Sequence, residues 1–309
     1  MSGREERGDW RFLSGGKRAS VAAVEFAERV SEIDTGDVTL SCAVVGGEGP
    51  VAIAVHGFPD CRESFAPILR FLVGGGHRVV MPALRGYFPS GVARSGRHDA
   101  LAVAEDIVFL ADRFSPDRPV RLIGHDWGSV ACFGAAALRP ERFAHLVTMA
   151  VPHPAAILRN VSPAQLRRSW YMGLFQIPAV AEVALARDDL ALVERLWHDW
   201  SPGYDPHGVE MSAVKAGIRH RIGPVIAYYR SLTSPRRLLE ARKIFGKTRV
   251  PSIHLHGDQD RCMGIEMADG AERFYERGYR LHRIAGAGHF LVQERPKEVG
   301  SLVARFFEE

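Results

Sequence analysis

The residues best equipped for chemistry sit in one short stretch, Gly124-His125-Asp126-Trp127-Gly128. An apolar run, 120–123, precedes it and an alanine-rich segment, 128–138, follows it. Strand, sharp turn and helix in that order have the spacing of a nucleophile elbow, G-x-Nu-x-G. Side chains at the two glycine positions would collide in so tight a turn. The middle residue is pushed out at the carboxyl end of the strand, where wound α/β sheets bind ligands. The first N–H groups of the helix favour an ionised carboxylate there. The competing explanation is an aspartate that only caps the helix; the residues downstream weigh against it.

An aspartate in this position restricts the electrophile. A serine attacking an sp³ carbon would form an ether, a dead end. A carboxylate forms an alkyl ester, which water can cleave at the enzyme's own carbonyl. Asp126 therefore points to a strained or activated sp³ carbon, as in an epoxide or a carbon bearing a halide. An oxyanion hole is expected from two backbone N–H groups: that of Trp127, and that of Phe58 in the loop His56-Gly57-Phe58-Pro59-Asp60 after the run Val51–Val55. A cis peptide before Pro59 would fix that loop.

The chain order nucleophile, acid, base calls for an acid and a histidine downstream. His289, in Gly286-Ala287-Gly288-His289-Phe290, follows the last strand signal, opens the final helix and is the expected general base. Its orienting acid is Asp260, with Asp258 as the alternative, whose competing role is capping the turn. No acid follows the run 146–150, where the chain continues Val151-Pro152-His153. His56 and His125 are expected to make structural hydrogen bonds behind the site. His56, Trp127, Phe175 and Tyr228 are assigned to substrate binding.

These residues need a scaffold. Six short apolar runs, 51–55, 78–81, 120–123, 146–150, 252–255 and 280–284, alternate with helix-like segments 63–73, 98–114, 128–138 and 296–307. That rhythm predicts a mostly parallel sheet with helices on both faces. Segments 28–34 and 38–46 add an antiparallel hairpin turned at Thr35-Gly36-Asp37. Between about 153 and 236 no strand signal occurs; helical stretches rich in aromatics predict a helical cap inserted between two strands. The expected division is an arm, 1–24, a core, 25–152 and 237–309, and a cap, 153–236.

With these pieces placed, the chain resembles the epoxide hydrolases of the α/β-hydrolase superfamily from about residue 25 to 309. His56–Asp60 (HGFPD), Arg85–Tyr87 (RGY), Gly124–Gly128 (GHDWG), Gly257–Asp260 (GDQD) and Gly286–Phe290 (GAGHF) match in order and spacing. The resemblance implies the α/β-hydrolase fold, with an eight-stranded, mostly parallel sheet, flanking helices and a cap. It also implies two cap tyrosines that hydrogen-bond the epoxide oxygen. The first maps onto Tyr171, in Ser169-Trp170-Tyr171-Met172-Gly173-Leu174-Phe175-Gln176. The second maps onto Tyr229, in Ala227-Tyr228-Tyr229-Arg230, with Tyr228 as the alternative. An epoxide oxygen leaves as an alkoxide and needs such an acid, whereas a halide does not. Haloalkane dehalogenases share GHDWG, but many carry Asn where Phe58 stands. Fluoroacetate dehalogenases carry arginines after the elbow aspartate, where this chain has Trp127, Gly128 and Ser129. One departure from the family pattern, D-x-R-G-Y-G-x-S, is Pro82-Ala83-Leu84-Arg85-Gly86-Tyr87-Phe88-Pro89-Ser90, which bears on substrate preference. The alternatives are a haloalkane-type dehalogenase and a non-catalytic binding protein on the same fold.

Composition sets the outer bounds. Of 309 residues 46% are hydrophobic, enough for a sizeable core, and 40 basic against 36 acidic residues leave a net charge of only +4. That balance argues against nucleic acid and anionic membrane surfaces as partners. The partner expected is a small apolar epoxide. No stretch suits a transmembrane helix, and the charged N-terminus has no signal-peptide character. Cys42, Cys61, Cys132 and Cys262 are scattered, which suits reduced thiols in a cytoplasmic protein. No metal or cofactor is expected. The sequence leaves the oligomeric state open, and a homodimer is compatible with it.

Overall fold

The computed structural model describes residues 28–206 and 208–309. The expected N-terminal arm, 1–24, lies outside the described residues. Eight strands form one sheet: β1 (Glu28–Asp34), β2 (Thr39–Val45), β3 (Val51–Val55), β4 (Arg78–Pro82), β5 (Val120–His125), β6 (Phe143–Met149), β7 (Ser252–Gly257) and β8 (Tyr279–Ile284). Their spatial order is β1-β2-β4-β3-β5-β6-β7-β8. β2 pairs antiparallel with β1 and β4, and every other neighbouring pair is parallel. The sheet is therefore the mostly parallel, eight-stranded one expected.

Alternation along β3 explains how the sheet is buried on both faces. Val51, Ile53 and Val55 point into one core; Ala52 and Ala54 point into the other. The first core is closed by the packed helices α2 (Ala100–Phe114) and α3 (Trp127–Leu138), the second by α1 (Ala66–Gly74) and α12 (Pro296–Phe307). Helix starts follow local chemistry. α2 begins two residues later than expected because Asp99 caps it, accepting from the Ala102 N–H at 2.8 Å. The chain also departs from expectation after β8. His289 precedes a short helix, α11 (Leu291–Glu294), and the final helix α12 opens only at Pro296, since proline suits a first helical turn.

Between β6 and β7 the described residues form helices and no strand: α4 (Pro154–Asn160), α5 (Pro163–Arg168), α6 (Trp170–Phe175), α7 (Val180–Trp200), α8 (Gly208–Ile218), α9 (Ile222–Ser231) and α10 (Pro235–Ala241). α10 runs across the expected boundary at 236/237. None of the described helices is long and apolar enough to cross a membrane. The insertion rests on the carboxyl ends of the strands through specific anchors. The Trp197 indole donates to the Pro59 carbonyl at 2.6 Å, and its ring stacks on Phe290 at 3.5 Å. The Tyr228 hydroxyl donates to the Arg85 carbonyl at 3.0 Å.

Arg85 itself is the buried post under this contact. Its guanidinium grips both oxygens of Asp106 on α2 at 2.7 Å and reaches Asp37 at 2.9 Å. Removing one partner of a buried pair leaves an uncompensated charge. Asp106→Ala is expected to cost about 3–5 kcal/mol, read from urea unfolding. A loss below about 1 kcal/mol, the range of exposed pairs, would contradict this account of the anchor.

Candidate active site

The elbow joins β5 to α3 and forces Asp126 to φ 52°, ψ −118°, a region that costs a non-glycine residue about 1–3 kcal/mol. The glycines make the turn possible. A Cβ on Gly128 would lie 2.0 Å from the Val55 carbonyl oxygen, and one on Gly124 would lie 2.5 Å from the Gly128 carbonyl oxygen. Ser129 braces the turn: its hydroxyl lies 2.8 and 2.9 Å from the Gly124 and Met149 carbonyl oxygens, which share its one hydrogen, and accepts from the Met149 N–H at 3.0 Å.

Close approach of β3 and the elbow brings the loop 56–60 onto the carboxylate. Phe58 donates its N–H to Asp126 Oδ1 at 2.8 Å, and the Trp127 N–H is a second donor. The Phe58–Pro59 peptide is cis. Burial raises the Asp126 carboxyl above its ordinary pKa, while His289, His125 and those two N–H groups pull it down.

His289 Nε2 lies 3.8 Å from Asp126 Oδ2, and Nδ1 donates to Asp260 Oδ2 at 2.9 Å. The Nε2 atom is buried with no hydrogen-bond partner among the described residues. Asp260 is held at its other oxygen by the N–H groups of Cys262 and Met263 at 2.7 and 2.9 Å. Burial would raise the Asp260 carboxyl, but the adjoining His289 and the N–H donors outweigh it and hold it below its usual range. The reverse balance acts on His289. Burial disfavours its charge, yet Asp260, Asp126 and Asp60 leave the imidazole more basic than usual. Asp258 is exposed and accepts from the Gly286 N–H at 2.8 Å, bracing a turn instead of facing His289.

Two tyrosines from the insertion complete the enclosure. Tyr171 on α6 and Tyr229 on α9 are buried, and each hydroxyl lies close enough to Asp126 to feel its charge. Burial, the largest cause, pushes both phenols well above their ordinary pKa, so they remain protonated donors. The hydrogen of the Tyr229 hydroxyl has no acceptor among the described residues, although the Trp127 indole N–H lies near its oxygen; the Tyr171 hydroxyl meets the Cys262 thiol at 3.5 Å. Phe58 and Phe175 pack edge-to-face against Tyr229 at 5.3 and 5.0 Å, and Trp127 does so at 5.2 Å.

The remaining candidates separate by the partners of their polar atoms. Both ring nitrogens of His56 bond main chain, to the Gly57 carbonyl at 2.9 Å and the Leu84 N–H at 3.1 Å. That removes His56 from the substrate-binding set and leaves it bracing the loop. His125 donates to the His289 carbonyl at 2.9 Å. The ring of Tyr228 touches Trp127, but its hydroxyl is spent on Arg85, so of the two adjacent tyrosines Tyr229 has the free hydroxyl. Trp200 and Cys262 were not foreseen. The Trp200 carbonyl accepts from the His289 N–H at 3.3 Å, and its ring lies 5.1 Å from the imidazole. No local pattern marks either residue; Trp200 arrives through the insertion's packing, and Cys262 through the loop after β7 that carries Asp260.

An elbow carboxylate on this sheet, facing a histidine and a second acid from the last two strand ends, defines a class. Residues 50–296 match the α/β hydrolase fold family, and the chain belongs to it. Within that family it is epoxide-hydrolase-like. It is 29% identical over 312 residues to epoxide hydrolase A of Mycobacterium tuberculosis, covering 89% of this chain and 95% of that one. It is 28% identical over 286 residues to the AB hydrolase superfamily protein YfhM of Bacillus subtilis, covering 89% and 96%. The structure of Bacillus megaterium epoxide hydrolase in complex with an inhibitor shares the fold, with a TM-score of 0.79 at 24% identity over 90% of this chain and all of that one.

Gly57 offers a direct check on the carboxylate's seat. A Cβ there would lie 2.4 Å from Asp126 Oδ1. Gly57→Ala is expected to push the carboxylate off the Phe58 N–H and lower kcat by about 100-fold, measured with any accepted substrate. Wild-type turnover in this variant would show that the observed seat is dispensable.

Proposed function

We propose that this chain hydrolyses an epoxide to a vicinal diol through a covalent alkyl ester on Asp126. One observation carries the reading. A buried carboxylate and two protonated tyrosine hydroxyls lie together among aromatic side chains, one hydroxyl with no acceptor for its hydrogen. A nucleophile for carbon and an acid for oxygen are what ring opening requires.

The geometry supports the following steps. Residues 153–236 act as a cap over a core formed by 25–152 and 237–309, and the epoxide binds between them. Asp126 Oδ1 stays on the Phe58 and Trp127 N–H groups while Oδ2 attacks a ring carbon. The carbon–oxygen bond breaks, and Tyr229 and Tyr171 hydrogen-bond the departing oxygen and supply its proton. His289 Nε2, oriented by Asp260, then takes a proton from water, whose oxygen attacks the ester carbonyl. The two N–H groups stabilise the oxyanion. Collapse expels the diol as the imidazolium gives its proton to the leaving alkoxide, and the proton left on the regenerated Asp126 carboxyl returns to the tyrosinate. Phe175 and Trp127 line the wall against the substrate's apolar part, which favours aryl or alkyl epoxides. Four free cysteines are compatible with work in the cytoplasm.

The charges also time the base. In the free enzyme two carboxylates flank His289, so it holds its proton to a higher pH than an ordinary imidazole. Alkylation of Asp126 removes one of those negative charges and lowers the His289 pKa, freeing Nε2 to accept a proton from water. The acid limb of ester hydrolysis in single-turnover experiments is therefore expected below the His289 titration of the free enzyme followed by NMR. Coincident values, or the opposite order, would refute this coupling.

The first assay pairs styrene oxide with 1-bromobutane, scoring diol and free bromide, with Asp126→Ala alongside. The expected result is diol from the wild type and a loss of about 10⁴-fold or more in the variant. Bromide without diol would make the enzyme a dehalogenase, and activity retained by Asp126→Ala would overturn the mechanism. His289→Gln is expected to accumulate the ester, visible as protein mass increased by one substrate.

A further inference from the structure

Beside Asp260 runs a second line of buried polar groups that the proposed reaction does not use. His254 and His256 are two residues apart on β7, so their side chains leave the same face of the strand. Both are fully buried. Thr148 on β6 is the register partner of His254, and its hydroxyl lies 2.9 Å from His254 Nδ1. His254 Nε2 lies 3.0 Å from His256 Nδ1, and His256 Nε2 lies 2.8 Å from the Met263 carbonyl oxygen.

This line can be protonated in one sense only while both rings are neutral. A carbonyl oxygen accepts and never donates, so His256 Nε2 carries the hydrogen that points at Met263. His256 Nδ1 is then an acceptor, and His254 Nε2 must carry the hydrogen between the rings. His254 Nδ1 is in turn an acceptor, filled by the Thr148 hydroxyl. Each buried atom in the line is satisfied, and each tautomer is fixed by the one beyond it.

The placement matters because His256 Nε2 is also 3.8 Å from Asp260 Oδ2, the oxygen that binds His289 Nδ1 at 2.9 Å. A protonated His256 would compete with His289 for that carboxylate. It could arise only by adding a proton at Nδ1, where the His254 N–H already points. We propose that His254 keeps His256 in its neutral Nε2–H form, and that the pair thereby reserves the charge of Asp260 for His289. Both are positioning residues. The inference rests on the reading of Asp260 and His289 as the acid and base.

Other groups facing His256 are consistent with this assignment. Asp260 and, more weakly, Glu266 favour its charge; burial, the largest cause, and His289 oppose it, and the net effect lowers its pKa. Burial and the adjacent His256 drive His254 further down. From β6 Thr148 faces His254 with its neutral hydroxyl and also with its backbone carbonyl, which favours the charged ring but is outweighed by burial and His256. The Met263 N–H, donated to Asp260 Oδ1, and the Met263 carbonyl, bound to His256, tie both halves of the arrangement to one residue of the loop after β7.

The test uses the full chain with ¹⁵N-labelled histidine and two-bond ¹H–¹⁵N NMR. In the wild type His256 is expected to show the Nε2–H tautomer and no titration between about pH 5 and 8, the window of ordinary imidazoles. His254→Val removes the N–H facing Nδ1. A His256 titration should then enter that window, and kcat should fall about tenfold more than in the wild type between pH 8 and pH 6 at unchanged KM, tenfold being one unit of pKa. His254→Gln, whose amide can donate to Nδ1, should restore the wild-type profile. A purely structural role would lower Tm in the valine variant without creating a new titration. A wild-type His256 that carries Nδ1–H, or that titrates inside the window, overturns the proposal even if His254→Val does not fold. So does a folded His254→Val in which His256 remains silent. Asp260→Asn separates the two readings: full kcat there would remove Asp260 as the acid, while the His256 signals would still decide its tautomer.

Discussion

Strand β3 and the elbow after β5 approach so closely that no side-chain atom fits between them. A methyl group at Gly128 would overlap the Val55 carbonyl, and one at Gly57 would overlap the Asp126 carboxylate. This contact carries the rest of the site. It places the Phe58 N–H against Asp126 Oδ1 and turns Oδ2 toward His289. It also holds Asp126 in a backbone conformation that a free chain would leave. The cost of that conformation is offset by packing around the elbow, where Gly124, Gly128 and Ser129 are all buried beneath the sheet's carboxyl edge.

Charge in this enclosure alternates along a line: Asp126, His289, Asp260. Each group is buried, and burial alone would neutralise all three. The line survives because each charge has an opposite neighbour and because backbone N–H groups supply the remaining partners at both carboxylates. Aromatic side chains bury these groups, which strengthens their interactions, and the tyrosine phenols of the insertion lie close enough to Asp126 to feel its charge. Their raised pKa keeps them protonated beside a carboxylate, as the proposed ring opening requires of a proton donor.

The insertion does more than cover the site. The C-terminal end of α7 accepts from the His289 N–H through the Trp200 carbonyl, and Ser201 binds the Phe290 N–H at 3.1 Å and Glu294 at 2.8 Å. Trp197 reaches the loop that carries Phe58. The two core loops supplying an N–H donor and a histidine are thus held by the same helix end. Loops carrying function need such support, because their own backbone makes few contacts.

Much of this was legible in the sequence because the signals are local. Strand burial, the glycines of the elbow and the order of the motifs are encoded within a few residues, and steric exclusion at a tight turn leaves few choices of residue type. The eight strands and the helical character of the insertion follow from hydrophobic periodicity in the same way. What only tertiary structure decided are the pairings between distant segments. The sequence favours Asp260 as the acid but leaves Asp258 as an alternative; the N–H groups of Cys262 and Met263 and the distance to His289 separate them. Tyr228 and Tyr229 are adjacent, and only the Arg85 carbonyl, far away in the chain, takes up one hydroxyl and leaves the other free. His56 stands in sequence both as a structural histidine and as a substrate-binding candidate, and its two main-chain hydrogen bonds favour the structural role. Trp200 and the His254–His256 line have no sequence signature. A hydrogen bond depends on direction and distance, and the chain's packing sets both after the local pattern has been used up.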